Sequence, residues 1–457
     1  QACIAQSRRL HAQAQAVWFG YQEHSSLAAA LQGLTVEQLG CFEFPSPAFP
    51  VDTAWIPGPD QPGAPTGETN IPLGRLVLPS ARWALRRHHL LDDAPTRRLL
   101  KEYILSAYSL AEQFTRFLLE HKPASAIFFN GILYPEATAR WIAQQVGLST
   151  VAYEVGFQPY SVFFSHAEPT AYPIDIPPSF ELNPDQAARL EDQLEKRFQG
   201  KFSMAGIRFW PEMRGLEPAF LEKAASFRQV VPIFTNVVYD SSQVHANTIF
   251  SNMFEWLDLL LPIIQEHPET LFVIRAHPDE KRPVSNKVSN ESVHDWISAR
   301  GVAVLPNVVF IEPDEFISSY ELIERSKFVL VYNSSIGLEA ALLGAPVICG
   351  GKARYTQYPT VFLPESQLDF QSMVEDFLNA EVIHPPAEFQ NNARRFLYYQ
   401  FYRISLSMDG FLTEGEKPGA VYLKPFSWQH LLPENSDSLR TIHEGLLQGK
   451  PFQRTEP

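Results

Sequence analysis

Cysteine is scarce in this chain: three in 457 residues, Cys3, Cys41 and Cys349. They form no Cys-x-x-Cys pair and no disulfide framework, which fits a reducing compartment. Cys349 closes an apolar strand and reads as packing. Long hydrophobic runs are missing too. The stretch Leu257-Asp258-Leu259-Leu260-Leu261-Pro262-Ile263-Ile264 is too short to span a bilayer and carries an Asp. No secretory signal is visible, although the opening Gln1 reads as a trimmed start. A cytoplasmic protein is therefore expected. Positive charge is in deficit, with 37 Lys and Arg against 51 Asp and Glu and a net charge of -14. That argues against a general nucleic-acid binder, which needs clustered cations to neutralise phosphates. The basic stretch Arg82-Trp83-Ala84-Leu85-Arg86-Arg87-His88-His89 is the local exception. It is either a solvated helix face or a surface that meets an anionic acceptor or membrane headgroups at the inner face.

Several signatures are also missing. There is no Gly-x-x-x-x-Gly-Lys-Ser/Thr loop and no Gly-x-Gly-x-x-Gly fingerprint, which weakens ATPase and dinucleotide-dehydrogenase readings. There is no Gly-x-Ser-x-Gly elbow, which counts against an α/β-hydrolase. No Asp-x-Asp and no His/Cys/Asp cluster with metal-ligand spacing occurs. If phosphate charge is stabilised here, His, Ser, Arg and helix dipoles must do it, with no essential metal and no resident cofactor.

What is present is apolar and aromatic: 45% hydrophobic and 12% aromatic residues. At this length two domains are the default. Residues 44–72 are crowded with Pro and Gly and read as a long loop of lid or binding type. Helical spacing of apolar residues marks 95–121 as one long helix. A strand–helix–strand unit follows, with strand 126–129 ending in Asn130-Gly131 and strand 150–153 ending in Glu154-Val155-Gly156. From 230 onward strands and helices alternate: strands 230–235, 271–275, 308–311, 328–332 and 346–349, with helices between them. That order implies a parallel, doubly wound sheet. The expected division is 1–225, an N-terminal Rossmann-like domain; 226–385, a C-terminal Rossmann-like domain; and 386–457, a long helix over 386–408 and a tail packing back on the N-terminal domain.

Two strand ends carry the chemistry. In parallel α/β sheets, ligands bind beyond the carboxyl ends of strands. One apolar run ends in Arg275-Ala276-His277-Pro278, where Pro biases the His away from helix and its imidazole could donate to a phosphate oxygen. The other ends in Asn333-Ser334-Ser335-Ile336-Gly337-Leu338-Glu339, a strand, two hydroxyls and a helix start suited to phosphate. Glu339, one turn in, could accept from ribose hydroxyls. The alternative is a plain Ser N-cap with Glu339 completing a capping box. Thr235 and Asn236 follow a third strand and join the nucleotide-binding candidates. Glu154 ends a strand beside a glycine and could act as general base; the alternative is a structural carboxylate. Asp240 is a second acid candidate, and Asn130, Gly131 and Arg275 are candidates for acceptor or sugar contacts.

These residues resemble the glycosyltransferases of bacterial capsule and surface-polysaccharide synthesis, the Kdo-transferase and bacterial sialyltransferase-like group. That group carries an acidic-acidic-Gly motif, a His-Pro motif and a Ser-Ser or Ser-Thr motif. Here they would be Glu154-Val155-Gly156, His277-Pro278 and Ser334-Ser335, with Val155 departing from the second acid. The resemblance implies an α/β fold of two Rossmann-like domains in GT-B arrangement facing a central cleft. It implies a nucleotide-sugar donor, CMP-activated such as CMP-Kdo, and a glycan or glycolipid acceptor. It also implies Glu154 as base and His277, Ser334 and Ser335 on the donor phosphate. Segment 333–348 is also similar to UDP-GlcNAc epimerases, whose Glu in the same helix binds ribose. Two alternatives stay open: a sugar-nucleotide epimerase on the same scaffold, and a non-catalytic nucleotide-sugar or glycan-binding module.

Overall fold

The computed structural model describes residues 24–47, 70–167, 169–198, 214–282, 287–415 and 420–454. The expected lid loop at 44–72 lies mostly outside them. Among the described residues, no helix is long and apolar enough to cross a membrane.

The chain divides into two compact units. One takes in the described residues up to Tyr153 together with those of 166–170; the other comprises Glu154–Ser165 and the chain from Ala171 onward. The first unit is built on helices α1 (Leu73–Leu85) and α2 (Ala94–His121). Asp93 starts α2 by accepting from the Thr96 N–H at 2.8 Å, and Lys122 ends it in the left-handed region at φ 43°. The apolar stripe of α2, including Leu100, Ile104, Ala107, Ala111 and Leu118, is buried, as the helical spacing requires. Strands β1 (Ser125–Phe129) and β2 (Ser149–Val155) flank helix α3 (Glu136–Gln145) and pair in parallel. This is the expected strand–helix–strand unit. Strand β3 (Ser161–Ser165) follows β2 in the chain.

The second unit holds a five-stranded parallel sheet. Its strands are β4 (Gln229–Phe234), β5 (Thr270–Arg275), β6 (Val308–Ile311), β7 (Val329–Val331) and β8 (Val347–Cys349), in the order β6-β5-β4-β7-β8. Counted from β4 this is 3-2-1-4-5, the Rossmann order with its switch point between β4 and β7. The strands are buried on both faces, so they read as β-branched runs without alternation. Between β7 and β8 runs helix α4 (Ile336–Leu342), ended by Gly344 at φ +82°. Gly337 is required at its first turn: a Cβ there would come within 2.3 Å of the Tyr355 hydroxyl. The chain is thus α/β, with a Rossmann-like sheet in the second unit and a parallel βαβ element in the first.

The units do not follow the expected boundary at 225/226. Ile174, Ile176, Leu190 and Leu194, read as N-terminal, share one hydrophobic cluster with Val329, Val331 and Val347. The helix carrying Leu190 and Leu194, Pro184–Phe198, delivers its last turn to this sheet. The segment expected to pack back on the N-terminal domain joins the same cluster through Ala393, Phe396, Leu397 and Tyr398. Its helix is also shorter than expected, Ala387–Tyr398 with a π-turn Tyr399–Arg403. The Ser405 hydroxyl donates to the Gln400 carbonyl, and Leu406 pairs with Val162, so the chain leaves the helix there.

Candidate functional site

The ends of β4, β5 and β7 line one cavity of about 130 Å³, which receives Thr235, Arg275, His277, Ser334, Ser335 and Glu339. These are six of the residues singled out from sequence. Register explains the meeting: Phe234 lies opposite Arg275 on one side and Val331 on the other, so all three strands stop at one level.

Arg275 is 4% exposed. Its guanidinium donates to the Ile317 carbonyl, and no carboxylate among the described residues pairs with it. Burial pushes its pKa down to about 10, against the fields of Tyr320 and Glu315. A buried cation without a counter-charge is costly, and a bound anion removes the cost.

His277 caps the short turn Pro278–Glu280, its Nδ1 accepting from the Asp279 N–H at 3.1 Å. With Nδ1 an acceptor, the neutral ring carries its proton on Nε2, which becomes a donor. Ser334 is buried, and its carbonyl accepts from the Tyr355 hydroxyl at 2.7 Å. Ser335 has helical backbone angles, and its hydroxyl makes no capping bond. The plain N-cap alternative is therefore not what the chain adopts.

Glu339 does not complete a capping box either. Its Oε1 accepts from Arg197 Nε at 2.8 Å and Nη2 at 2.6 Å, and its Oε2 accepts from the Tyr320 hydroxyl at 2.5 Å. Burial would lower the Arg197 pKa, but Glu339 and Tyr320 raise it above its ordinary value. Each Glu339 oxygen already carries a strong protein hydrogen bond, so the carboxylate shapes the wall before any ribose arrives. Arg197 and Tyr320 also line the cavity, and sequence reasoning missed both.

Thr235 and Asn236 hold the frame. The Thr235 hydroxyl donates to the Arg275 carbonyl at 3.0 Å, and Asn236 Oδ1 accepts from the Asn333 N–H at 3.2 Å. Their polar groups tie strand ends together.

The acid candidates gather elsewhere in the same unit, around Tyr172. Burial pushes that phenol up to about 12; Arg354 opposes the shift, and Glu154 and Asp240 add to it. Both carboxylates are therefore within electrostatic reach of one side chain. The Arg354 guanidinium lies over the rings of Phe157 (4.8 Å) and Tyr172 (4.5 Å). Glu154 Oε2 accepts from the Val155 N–H at 3.3 Å, and Asp240 Oδ2 from the Ser242 hydroxyl at 2.5 Å. Asn130 and Gly131 lie in the other unit, at φ 60° and 77°. Asn130 Oδ1 accepts from the Ile132 N–H at 3.0 Å, so the pair forms a tight turn. Among the described residues, no group of three or more His, Cys, Asp or Glu could hold a metal ion.

A Rossmann-like sheet with a cationic, donor-lined cavity beyond its strand ends belongs to the α/β class whose ligands bind at the carboxyl edge of the sheet. Residues 215–358, which include every cavity group named above except Arg197, match the family described as capsule polysaccharide biosynthesis protein. Protein FixF of Sinorhizobium fredii is 33% identical over 104 residues, which make up 23% of this chain and 22% of that protein. The match thus spans about a fifth of that relative's length. Similar solved structures include Thermosulfurimonas dismutans KpsC, a beta Kdo 2,4 transferase (13% identity, 62% of this chain and 81% of that one, TM-score 0.41). Another is the Neisseria meningitidis UDP-GlcNAc 2-epimerase bound to UDP-GlcNAc (15%, 65% and 80%, TM-score 0.29). A third is the C-terminal CMP-Kdo binding domain of WaaA from Acinetobacter baumannii (16%, 40% and 100%, TM-score 0.23).

Proposed function

We propose that this chain is a glycosyltransferase of capsule or surface-polysaccharide synthesis, moving a sugar from a nucleotide-sugar donor to a glycan or glycolipid acceptor. The observation that carries the reading is Arg275, a buried guanidinium that pairs with no carboxylate among the described residues, in one cavity with His277, Ser334 and Ser335. The family match over 215–358 supports the pathway. The paired His277-Pro278 and Ser334-Ser335 motifs support a CMP-activated sugar, such as CMP-Kdo, as donor.

In this mechanism the acceptor hydroxyl loses its proton to a carboxylate, with Glu154 the first candidate and Asp240 the second. The acceptor oxygen attacks the anomeric carbon as the bond from that carbon to the phosphate oxygen breaks. Charge grows on the leaving nucleotide phosphate. Arg275, His277 Nε2–H and the serine hydroxyls meet it already oriented, which is where electrostatic catalysis is most effective. The protein's own cations supply this stabilisation without a metal.

The test is a thermal-shift titration against CMP, UDP, GDP and TDP. A ligand at 100 times its Kd stabilises by about 2.7 kcal/mol. CMP is expected to give the largest shift; no shift with any of the four would overturn the donor site. Mass spectrometry of a CMP-sugar incubated with and without glycan acceptor then separates transfer from isomerisation. An isomerised donor in the acceptor-free sample would mark an epimerase.

A further inference from the structure

We infer that the second unit carries a separate binding site for an acidic saccharide, in a cavity that the nucleotide reading leaves unused. The cavity has a volume of about 710 Å³ and lies between the Gln158-Pro159 turn, Arg189, the segment 401–411 and the C-terminal residues up to Arg454. That volume suits an organic ligand of several rings rather than a lone ion. None of its lining residues belongs to the cavity at the strand ends.

Three features point to the ligand's chemistry. First, aromatic faces are present: Phe411 and Phe426 line the space, 5.1 Å apart and edge to face, and Tyr402 is a third ring. Such rings pack against the C–H faces of pyranoses. Second, the lining is otherwise rich in short polar side chains, with Ser407, Asn435 and Ser436 among them, suited to sugar hydroxyls. Third, two arginines, Arg189 and Arg454, line the cavity, and neither forms an ion pair with a carboxylate among the described residues. The Arg189 guanidinium is held 4.0 Å above the Tyr402 ring centre. An arginine fixed on an aromatic plane presents its N–H fork to a planar carboxylate, which it binds bidentately. Asp409 and Asp437 line the same space, Asp437 being paired with Arg440 at 2.6 Å, and they would disfavour a polyanion denser than one carboxylate per ring. On the transferase reading, the occupant is the acceptor's own chain, held away from the reacting hydroxyl; that last step rests on the reading, but the saccharide binding does not.

The experiment is calorimetric titration of the whole protein, without nucleotide, with three tetrasaccharides: tetragalacturonate, α2,8-linked tetrasialate and maltotetraose. At least one acidic probe is expected to bind, with maltotetraose at least tenfold weaker. Arg189→Gln and, separately, Arg454→Gln should each weaken that binding about tenfold, the loss expected of one charge-assisted pair, with unchanged melting temperature. Arg275→Gln should leave it unchanged, so a failed donor site and a failed saccharide site give different results. Four outcomes would overturn the inference: no binding of either acidic probe, equal binding of maltotetraose, binding insensitive to both arginine variants, or CMP or anionic vesicles competing for the same arginines.

Discussion

Oε1 of Glu339 accepts from both Nε and Nη2 of Arg197, at 2.8 and 2.6 Å, across 142 positions of sequence. The side chains are 7% and 16% exposed, so the pair is nearly dry. Arg197→Met leaves the carboxylate with Tyr320 as its side-chain donor among the described residues. Removing one partner of a buried pair costs about 3–5 kcal/mol, whereas replacing both with apolar groups is often neutral. The expectation is a large drop in urea midpoint for Arg197→Met and recovery of most of it in Arg197→Met/Glu339→Leu. An equal or greater loss in the double variant would show that the pair does not act as a unit.

Arg275 predicts the opposite balance. Among the described residues its buried charge has a carbonyl partner and pairs with no carboxylate, so it is a cost to folding that a bound phosphate relieves. Arg275→Met should therefore raise the melting temperature of the free protein or leave it unchanged, while nucleotide affinity falls at least tenfold, about 1.4 kcal/mol. Differential scanning fluorimetry with and without CMP reads both effects. A destabilised free protein with unchanged affinity would make Arg275 structural.

The strand ends were legible in the sequence because a parallel sheet covered on both faces spells its strands as unbroken apolar runs. The switch to polar residues at Arg275 and Asn333 marks where each strand stops. Arg197 was not legible: it sits in the last turn of a charged helix, and its role exists only once that helix meets Glu339. The same contact is why Glu339 looked like a cap or a ribose acceptor when read locally. Asn130-Gly131 looked like a sugar contact because a polar pair ends a strand, yet its positive φ values and the bond to Ile132 make it a turn. The C-terminal segment after 408 reads in the sequence only as a tail, although Ser436 caps a helix at Asp437–Gln448 and Gly449 closes it at φ 67°. The large second cavity depends on that tail.

His277 should act on rate more than on binding. The loss of one preorganised donor to a developing oxyanion costs roughly 10²–10³ in rate. His277→Ala is expected to lower kcat in that range while the fold and melting temperature hold. His277→Gln, which keeps an N–H donor, should recover part of it. Near-normal kcat in His277→Ala, measured by CMP release, would remove His277 from the mechanism.

Glu280 ties this loop to pH. Its side chain is 2% exposed, and both oxygens accept from the Val293 N–H at 3.3 Å. Burial raises its pKa from 4.5 to about 8, against the Val293 hydrogen bond, with Asp295 and Glu312 adding to the rise. The folded state therefore keeps a proton that the unfolded state has lost. Between about pH 4.5 and 8 the native form binds more protons, so this group's contribution to stability falls as pH rises, by up to about 1.4 kcal/mol per pH unit. Above pH 8 both states are ionised and the dependence flattens. Glu280→Gln removes the titration while keeping the shape. Urea midpoints at pH 5.5 and 8 should differ less in the variant than in the parent, and the variant should be the more stable of the two at pH 8. Parallel pH profiles for the two proteins would mean that Glu280 is ionised in the fold.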